Sequence, residues 1–161
     1  MISKKNVLQS EPFDDIIIIG ISSVENDFVM AWHLNNLLKL NLTKKQNLKF
    51  TDQKFSEELS FYYFNQGENG SVYNLLMLNK TVIGITKLPQ STDFILIIRN
   101  NLSNLPLDQI KKVIRTIPKV ILSYTIDWEK FRGLDSLLEQ VDLHELTIQR
   151  NEKRMPPRAR K

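Results

Sequence analysis

The chain has 161 residues and a mass of 18.8 kDa, with 42% hydrophobic and 25% charged residues and no cysteine. That length predicts a single domain that buries enough surface to fold without a disulfide or a structural metal. The missing cysteines exclude thiolate nucleophiles, iron–sulfur clusters and Cys-ligated zinc.

Residues 1–12 are polar and are expected to be loose. Phe13 to Ile21 predicts a strand, and its unbroken isoleucines Ile16 to Ile19 require burial on both faces. Ser22-Ser23-Val24-Glu25 fits a capping box that opens a helix reaching about Lys39. Phe28, Ala31, Trp32, Leu34, Leu37 and Leu38 are spaced for one broad apolar face on it. Leu48 to Phe50 reads as a weak strand and Leu59 to Asn65 as a strong one. Gln66 to Gly70 then makes the turn into a returning strand, Ser71 to Leu78. Asn79-Lys80 reads as a second turn leading to an extended segment, Val82 to Ile85, that Leu88-Pro89 ends.

Phe94 to Ile98 is another dense apolar strand. Pro106 marks a helix start, with Ile110, Val113, Ile114 and Ile117 as the inner stripe and Lys111, Lys112 and Arg115 outward. Val120 to Ile126 is the last clear strand, and residues 127–131 suggest a short helical turn. Leu134, Leu137, Leu138, Val141 and Leu146 suggest one more amphipathic helix. The order predicts an α+β domain over residues 13–149, an antiparallel-dominated sheet with two main helices on one face. It is read as ferredoxin-like with an inserted hairpin. Aromatic residues on both faces of Phe61 to Phe64 require a further layer on that side, or a second copy.

The formal charge of +4 is unevenly placed. Arg150, Lys153, Arg154, Arg158, Arg160 and Lys161 stand against Glu152 alone in residues 150–161, and the remainder carries 16 positive and 17 negative charges. Together with Met155-Pro156-Pro157, this predicts an extended basic tail suited to a polyanion such as RNA or to an acidic protein. No signal-peptide core follows Met1-Ile2-Ser3-Lys4-Lys5, and no apolar run approaches the length of a membrane helix, so a cytoplasmic address is expected.

Reactive constellations are few. Ser22 and Ser23 precede His33 by ten or more residues, about 15 Å along a helix, and no Gly-x-Ser-x-Gly elbow is present. Asp14-Asp15 and Glu57-Glu58 are adjacent pairs whose members point to opposite sides of an extended chain. Asp93 precedes a buried strand, where a carboxylate needs partners, and a turn-capping role fits it best. His33 and His144 are too few for a His-rich metal site. The five glycines form neither a dinucleotide nor a phosphate-loop pattern. No strand carries the basic-Gly-aromatic signature of an RNA-recognition domain. No catalytic residue, cofactor or metal is assigned. The hairpin aromatics Phe61, Tyr63 and Tyr73 are the expected partner-binding patch.

Three stretches together resemble a known family. Gly20-Ile21-Ser22-Ser23 is followed by Asp27-Phe28, Ala31-Trp32 and Leu34-Asn35. Leu88-Pro89-Gln90 is followed by Thr92-Asp93-Phe94, and Ile114 to Pro118 by Val120 and Asp127. Over residues 14–138 the chain resembles the IPExxxVDY family of small bacterial proteins. That resemblance implies a cytoplasmic bacterial protein and, since the family has no established activity, supplies no catalytic residues.

The expected function is therefore a non-enzymatic interaction domain for a macromolecular partner: an acidic protein, RNA or a ribonucleoprotein. A small-molecule-binding regulatory domain acting as a homodimer is the alternative. An enzyme using Asp93 with a lysine or His33 is the third reading.

Overall fold

A computed structural model describes residues 15–154, apart from Gln90 and Asn104. In chain order the elements are β1 (Ile16–Ser23), α1 (Asp27–Leu38), β2 (Thr43–Lys44), β3 (Leu48–Thr51), β4 (Ser56–Leu59) and β5 (Phe61–Asn65). They continue with β6 (Val72–Met77), α2 (Lys80–Thr86), β7 (Phe94–Arg99), α3 (Leu107–Arg115) and β8 (Val120–Ile126). A single 3-10 turn over Trp128–Lys130 precedes α4 (Arg132–Arg154).

The isoleucine run sits where its composition demands. β1 pairs with β7 on one side and β8 on the other, inside a sheet ordered β2-β5-β6-β7-β1-β8. Every adjacent pair is antiparallel. Alternation along the strands sends Ile19, Ile21, Leu75, Phe94, Leu96 and Ile98 to one face, against Met30, Ala31 and Leu34 of α1 and Ile110 and Ile114 of α3. Ile16, Ile18, Leu76, Ile95 and Ile97 point the other way, under α2 and α4 and the β3–β4 hairpin. Two helices on one face of an antiparallel sheet are as the sequence predicts. The sheet has six strands where a single β-α-β-β-α-β unit has four. Its second face is covered by a further layer of this same chain.

Several local expectations are corrected. Ser22 and Ser23 belong to β1, and Asn26 caps α1 without a side-chain bond. The Ser23 hydroxyl instead accepts from the Glu25 backbone N–H at 3.1 Å, a turn at the strand end. Val82 to Ile85, read as extended after an Asn79-Lys80 turn, lies inside α2 (Lys80–Thr86), because Asn79 Oδ1 accepts from the Val82 N–H at 2.9 Å and caps a helical turn. Leu146 lies on the exposed side of α4, and the row that faces the sheet continues through Glu145 to Ile148. The domain boundary at 149 is also moved: α4 runs on to Arg154, so Arg150, Lys153 and Arg154 are helical rather than part of an extended tail. Arg158, Arg160 and Lys161, and the N-terminal stretch 1–12, lie outside the described residues.

One polar cluster interrupts the second core. Arg99 at the end of β7 reaches Asp142 of α4 (Nη1 to Oδ1, 2.5 Å) and also Glu145. Its Nη2 donates to the buried Asn74 Oδ1 at 3.0 Å. Asn74 Nδ2 and Arg99 Nε have no hydrogen-bond partner among the described residues. The Asp142 carboxyl is raised above its ordinary value, first by burial and further by Glu139, with Arg99 pulling against both.

Two glycines set opposite limits on the α2–α4 layer. A Cβ on Gly133 would fall 2.2 Å from the Ile85 carbonyl oxygen and 2.8 Å from Thr86 Cα, so α4 starts in contact with the end of α2. Nothing lies within 4 Å of a Cβ on Gly84, inside α2. Gly133→Ala is expected to destabilise the fold by about 1–3 kcal/mol through overpacking against backbone. Gly84→Ala is expected to stabilise it by about 0.5–1 kcal/mol through helix propensity and reduced unfolded-state entropy. Urea unfolding midpoints of the two variants should move in opposite directions from wild type.

Candidate interaction surface

α1 carries more apolar residues than its contact with the sheet can use. Met30, Ala31 and Leu34 fill that contact. Residues four apart share a row on a helix, so Phe28, Trp32 and Asn36 form one row turned to solvent, and Val29, His33 and Leu37 form its neighbour. Phe28 and Trp32 are each 62% exposed, Leu37 is exposed, and Val24 just before the helix is 81% exposed. These are large side chains on water, against the expectation that Phe28, Trp32 and Leu37 belong to the buried face. The Trp32 ring meets the His33 ring edge-on at 5.0 Å, and Asn36 Nδ2 donates to the Trp32 carbonyl at 3.1 Å. No charged side chain lies between Phe28 and Leu38.

The start of α1 is anchored by a polar group set beneath this row. Asp27 Oδ2 accepts from the Tyr62 hydroxyl at 3.2 Å and lies 3.6 Å from Lys44 Nζ, which also sits 5.4 Å from the Tyr62 ring centroid. Burial on its own raises the Asp27 carboxyl. Hydrogen bonds from Ser60, the Phe28 backbone and Tyr62, with the Lys44 charge, outweigh burial and bring it below its ordinary value. The Tyr62 phenol is pushed up to about 12, mostly by burial and then by the facing carboxylate.

The hairpin aromatics expected to form the patch are inside the molecule. Phe61 and Tyr63 belong to the core under α4, and Tyr73 to the core under α1 and α3, because β5 and β6 lie inside a sheet covered on both faces. Phe61 meets the His144 ring edge-on, Tyr63 accepts from Gln149 Nε2 at 3.1 Å, and Tyr73 stacks with Phe64 at 6.2 Å. The expected surface patch is corrected accordingly.

The candidate reactive groups are also engaged elsewhere. Asp93 Oδ2 accepts from the Ser23 backbone N–H at 2.8 Å and so ties β7 to the end of β1. Glu57 accepts from Asn79 Nδ2 and Glu58 from Asn47 Nδ2. His33 is on α1 and His144 on α4, on opposite faces of the sheet, and His144 Nε2 lies 2.7 Å from the Gln46 carbonyl. Among the described residues no three His, Asp or Glu side chains gather to hold a metal ion, and no helix is long and apolar enough to cross a membrane.

Two shallow grooves flank the helices. One, of about 350 Å³, lies between α1 and α3 and is walled by Leu37, Leu38, Leu105, Ile110 and Val113 over Tyr73. The other, of about 610 Å³, follows α2 past Lys80, Ile83, Gly84 and Lys87. The first adjoins the exposed α1 row through Leu37. The signal for that row was in the sequence: a twelve-residue segment, Asp27 to Leu38, with apolar residues on every side offers more hydrophobic surface than one core contact can take. No protein-family model matches the chain, and no curated protein is matched by its sequence.

The Asp27–Tyr62 pair gives a pH prediction with a definite sign. The fold favours the protonated phenol, so the contribution of Tyr62 to stability is whole below pH 10 and is lost as the pH climbs through about 12. The contribution of Asp27 runs the other way and is lost in acid as its carboxylate is protonated. Tyr62→Phe removes one donor to Asp27. Carbon-detected NMR titration is expected to show the Asp27 carboxyl shifted upward in that variant, while ultraviolet titration loses a tyrosine ionisation at about pH 12.

Proposed function

We propose that this protein is a non-enzymatic interaction domain that binds a protein partner through the solvent face of α1. One observation carries the reading: Phe28 and Trp32, two large aromatic side chains one turn apart, stand 62% exposed on a helix face without charge. Tryptophan is the residue most enriched among those that dominate interface energetics, and interface centres are depleted in charge. The α1–α3 groove next to Leu37 supplies a concave continuation for an apolar side chain of the partner. Arg150, Lys153 and Arg154 on α4, followed in sequence by Arg158, Arg160 and Lys161, favour an acidic partner and quicken its approach at low salt. Membership of the IPExxxVDY family, with the cytoplasmic and bacterial setting it implies, belongs to the same proposal and rests on the Gly20 to Asn35 segment and the two shorter stretches.

The test is affinity capture from nuclease-treated bacterial lysate with mass spectrometry. Wild type is run beside the double variant Phe28→Ala with Trp32→Ala and beside a copy ending at Arg154. Both aromatic side chains are exposed, so the double variant should unfold within about 0.5 kcal/mol of wild type. The expected outcome is a protein retained by wild type and lost from the double variant, with weaker retention by the shortened copy. Identical retention by wild type and the double variant overturns the assignment of α1.

A further inference from the structure

α4 runs for 23 residues, and only one side of it meets the sheet. Leu134, Leu137, Leu138, Val141 and Ile148 form that buried side. On the opposite side Glu139, Leu143, Leu146 and Arg150 follow one another at spacings of four, three and four residues, all exposed. Leu143 is 63% and Leu146 54% exposed. Such spacing lines one side of a helix and is the seam along which two helices pair.

The charges along this outer side are sorted by sign. Asp135 and Glu139 precede the two leucines, and Arg150 and Arg154 follow them, all four exposed. None of the four forms an ion pair with another described residue. A helix favours acid in its first turn and base in its last, which accounts for Asp135 and Arg154. That preference fades beyond the terminal turns, so it does not account for Glu139 or Arg150. Glu139 also acts on Asp142, one turn on, and helps to push that carboxyl up, so its neighbour within the chain is a like charge.

We propose that two copies of this chain pair through the outer side of α4, antiparallel about a two-fold axis midway between Leu143 and Leu146. Residues mirrored across that point meet, so Leu143 faces Leu146 of the second copy. Glu139 then faces Arg150 of the second copy, and Asp135 faces Arg154 of the second copy, each contact occurring twice. The second copy is the occupant because this one side of α4 supplies both signs in mirror order. Parallel pairing would set like charges against each other along the seam. A uniformly acidic or uniformly basic partner helix would meet repulsion over half its length. Two leucines per chain make a small apolar centre, so the dimer is weak and depends on concentration. α1 lies on the opposite face of the sheet and stays accessible in it. Arg150 and Arg154 are drawn into the dimer, so their attraction for an acidic partner belongs to the single chain.

The measurement is molar mass by light scattering and sedimentation on the full chain, from low micromolar to near-millimolar concentration. The mass is expected to rise from one chain to two. Leu143→Ser with Leu146→Ser should give one chain's mass throughout, at the melting temperature of wild type, since both side chains are exposed. Glu139→Arg and Arg150→Glu should each weaken the dimer roughly tenfold. The two together should restore it, because the exchanged pairs again carry opposite signs. Phe28→Ala with Trp32→Ala should leave the mass unchanged; a dimer lost in that variant would move the interface to α1 and overturn the assignment to α4. One chain's mass at every concentration overturns the proposal. So does a dimer that survives the leucine substitutions, or a charge-exchanged form as weak as the single variants. A chain that stays single, and that loses a lysate protein on Leu143→Ser with Leu146→Ser, gives the face to a foreign partner and also overturns it.

Discussion

Burial of the β1–β7 pair on both faces is the constraint from which the remaining architecture follows. Ile16, Ile18, Ile95 and Ile97 look one way and Ile19, Ile21, Leu96 and Ile98 the other, each almost wholly removed from water. Each such side chain is worth about 1.5–3 kcal/mol relative to exposure. Leaving either face uncovered would forfeit several of these terms at once, an amount comparable to the whole stability of a domain this size. Two layers therefore have to be built. α1 and α3 provide one, from the β1–β2 and β7–β8 connections. The second comes from the β3–β4 hairpin, α2 and α4, which occupy the inserted and C-terminal segments.

Apolar burial alone would let α4 slide along the sheet, because leucines are nearly interchangeable along a helical stripe. Directional contacts remove that freedom. Gln140 exchanges hydrogen bonds with the Thr51 backbone, and His144 meets the Gln46 carbonyl. Asp142 and Glu145 take the Arg99 guanidinium, while Gln149 reaches Tyr63 and Glu152 reaches Lys45. A buried ion pair contributes little net stability, since desolvation offsets most of its attraction. Its value here is selectivity: Arg99 Nη1 and Nη2 meet Asp142 and Glu145 in this placement of α4, and a shift along the sheet would leave the guanidinium charge without them.

Much of the fold was legible because its signals are local. The strand Val120 to Ile126 and the stripe Ile110–Ile114 of α3 follow directly from periodicity. Doubly buried strands were readable at Ile16 to Ile19, where no polar residue interrupts the run. The reading failed where short-range signals compete. Ser22 and Glu25 have capping-box spacing, but β8 pairs with Ser22 and Ser23 and holds both in the sheet. Val82 to Ile85 has β-branched residues, and the Asn79 side chain nonetheless starts a helix there. The α1 surface was the larger miss. Apolar residues all around a helix say that some will be exposed without saying which, and only the position of α1 over the sheet decides between Phe28 and Met30. The hairpin aromatics were misplaced for the matching reason, since the layer that covers Phe61 and Tyr63 comes from α4, distant in sequence.

α1 and α3 offer an internal comparison. Both lie on the same face of the same sheet and bury two or three apolar residues against it. The outward side of α3 carries Asp108, Lys111, Lys112 and Arg115, the solvated face expected of a helix whose only task is to cover a core. The outward side of α1 carries Phe28, Trp32 and Leu37. Packing does not require that difference, because α3 shows that a polar outer face is compatible with the same position in the fold. Nor does helix propensity, since phenylalanine and tryptophan are poorer helix formers than the lysine and arginine that α3 uses. An exposed aromatic row that neither the core nor the helix needs is the support for the docking surface proposed on α1.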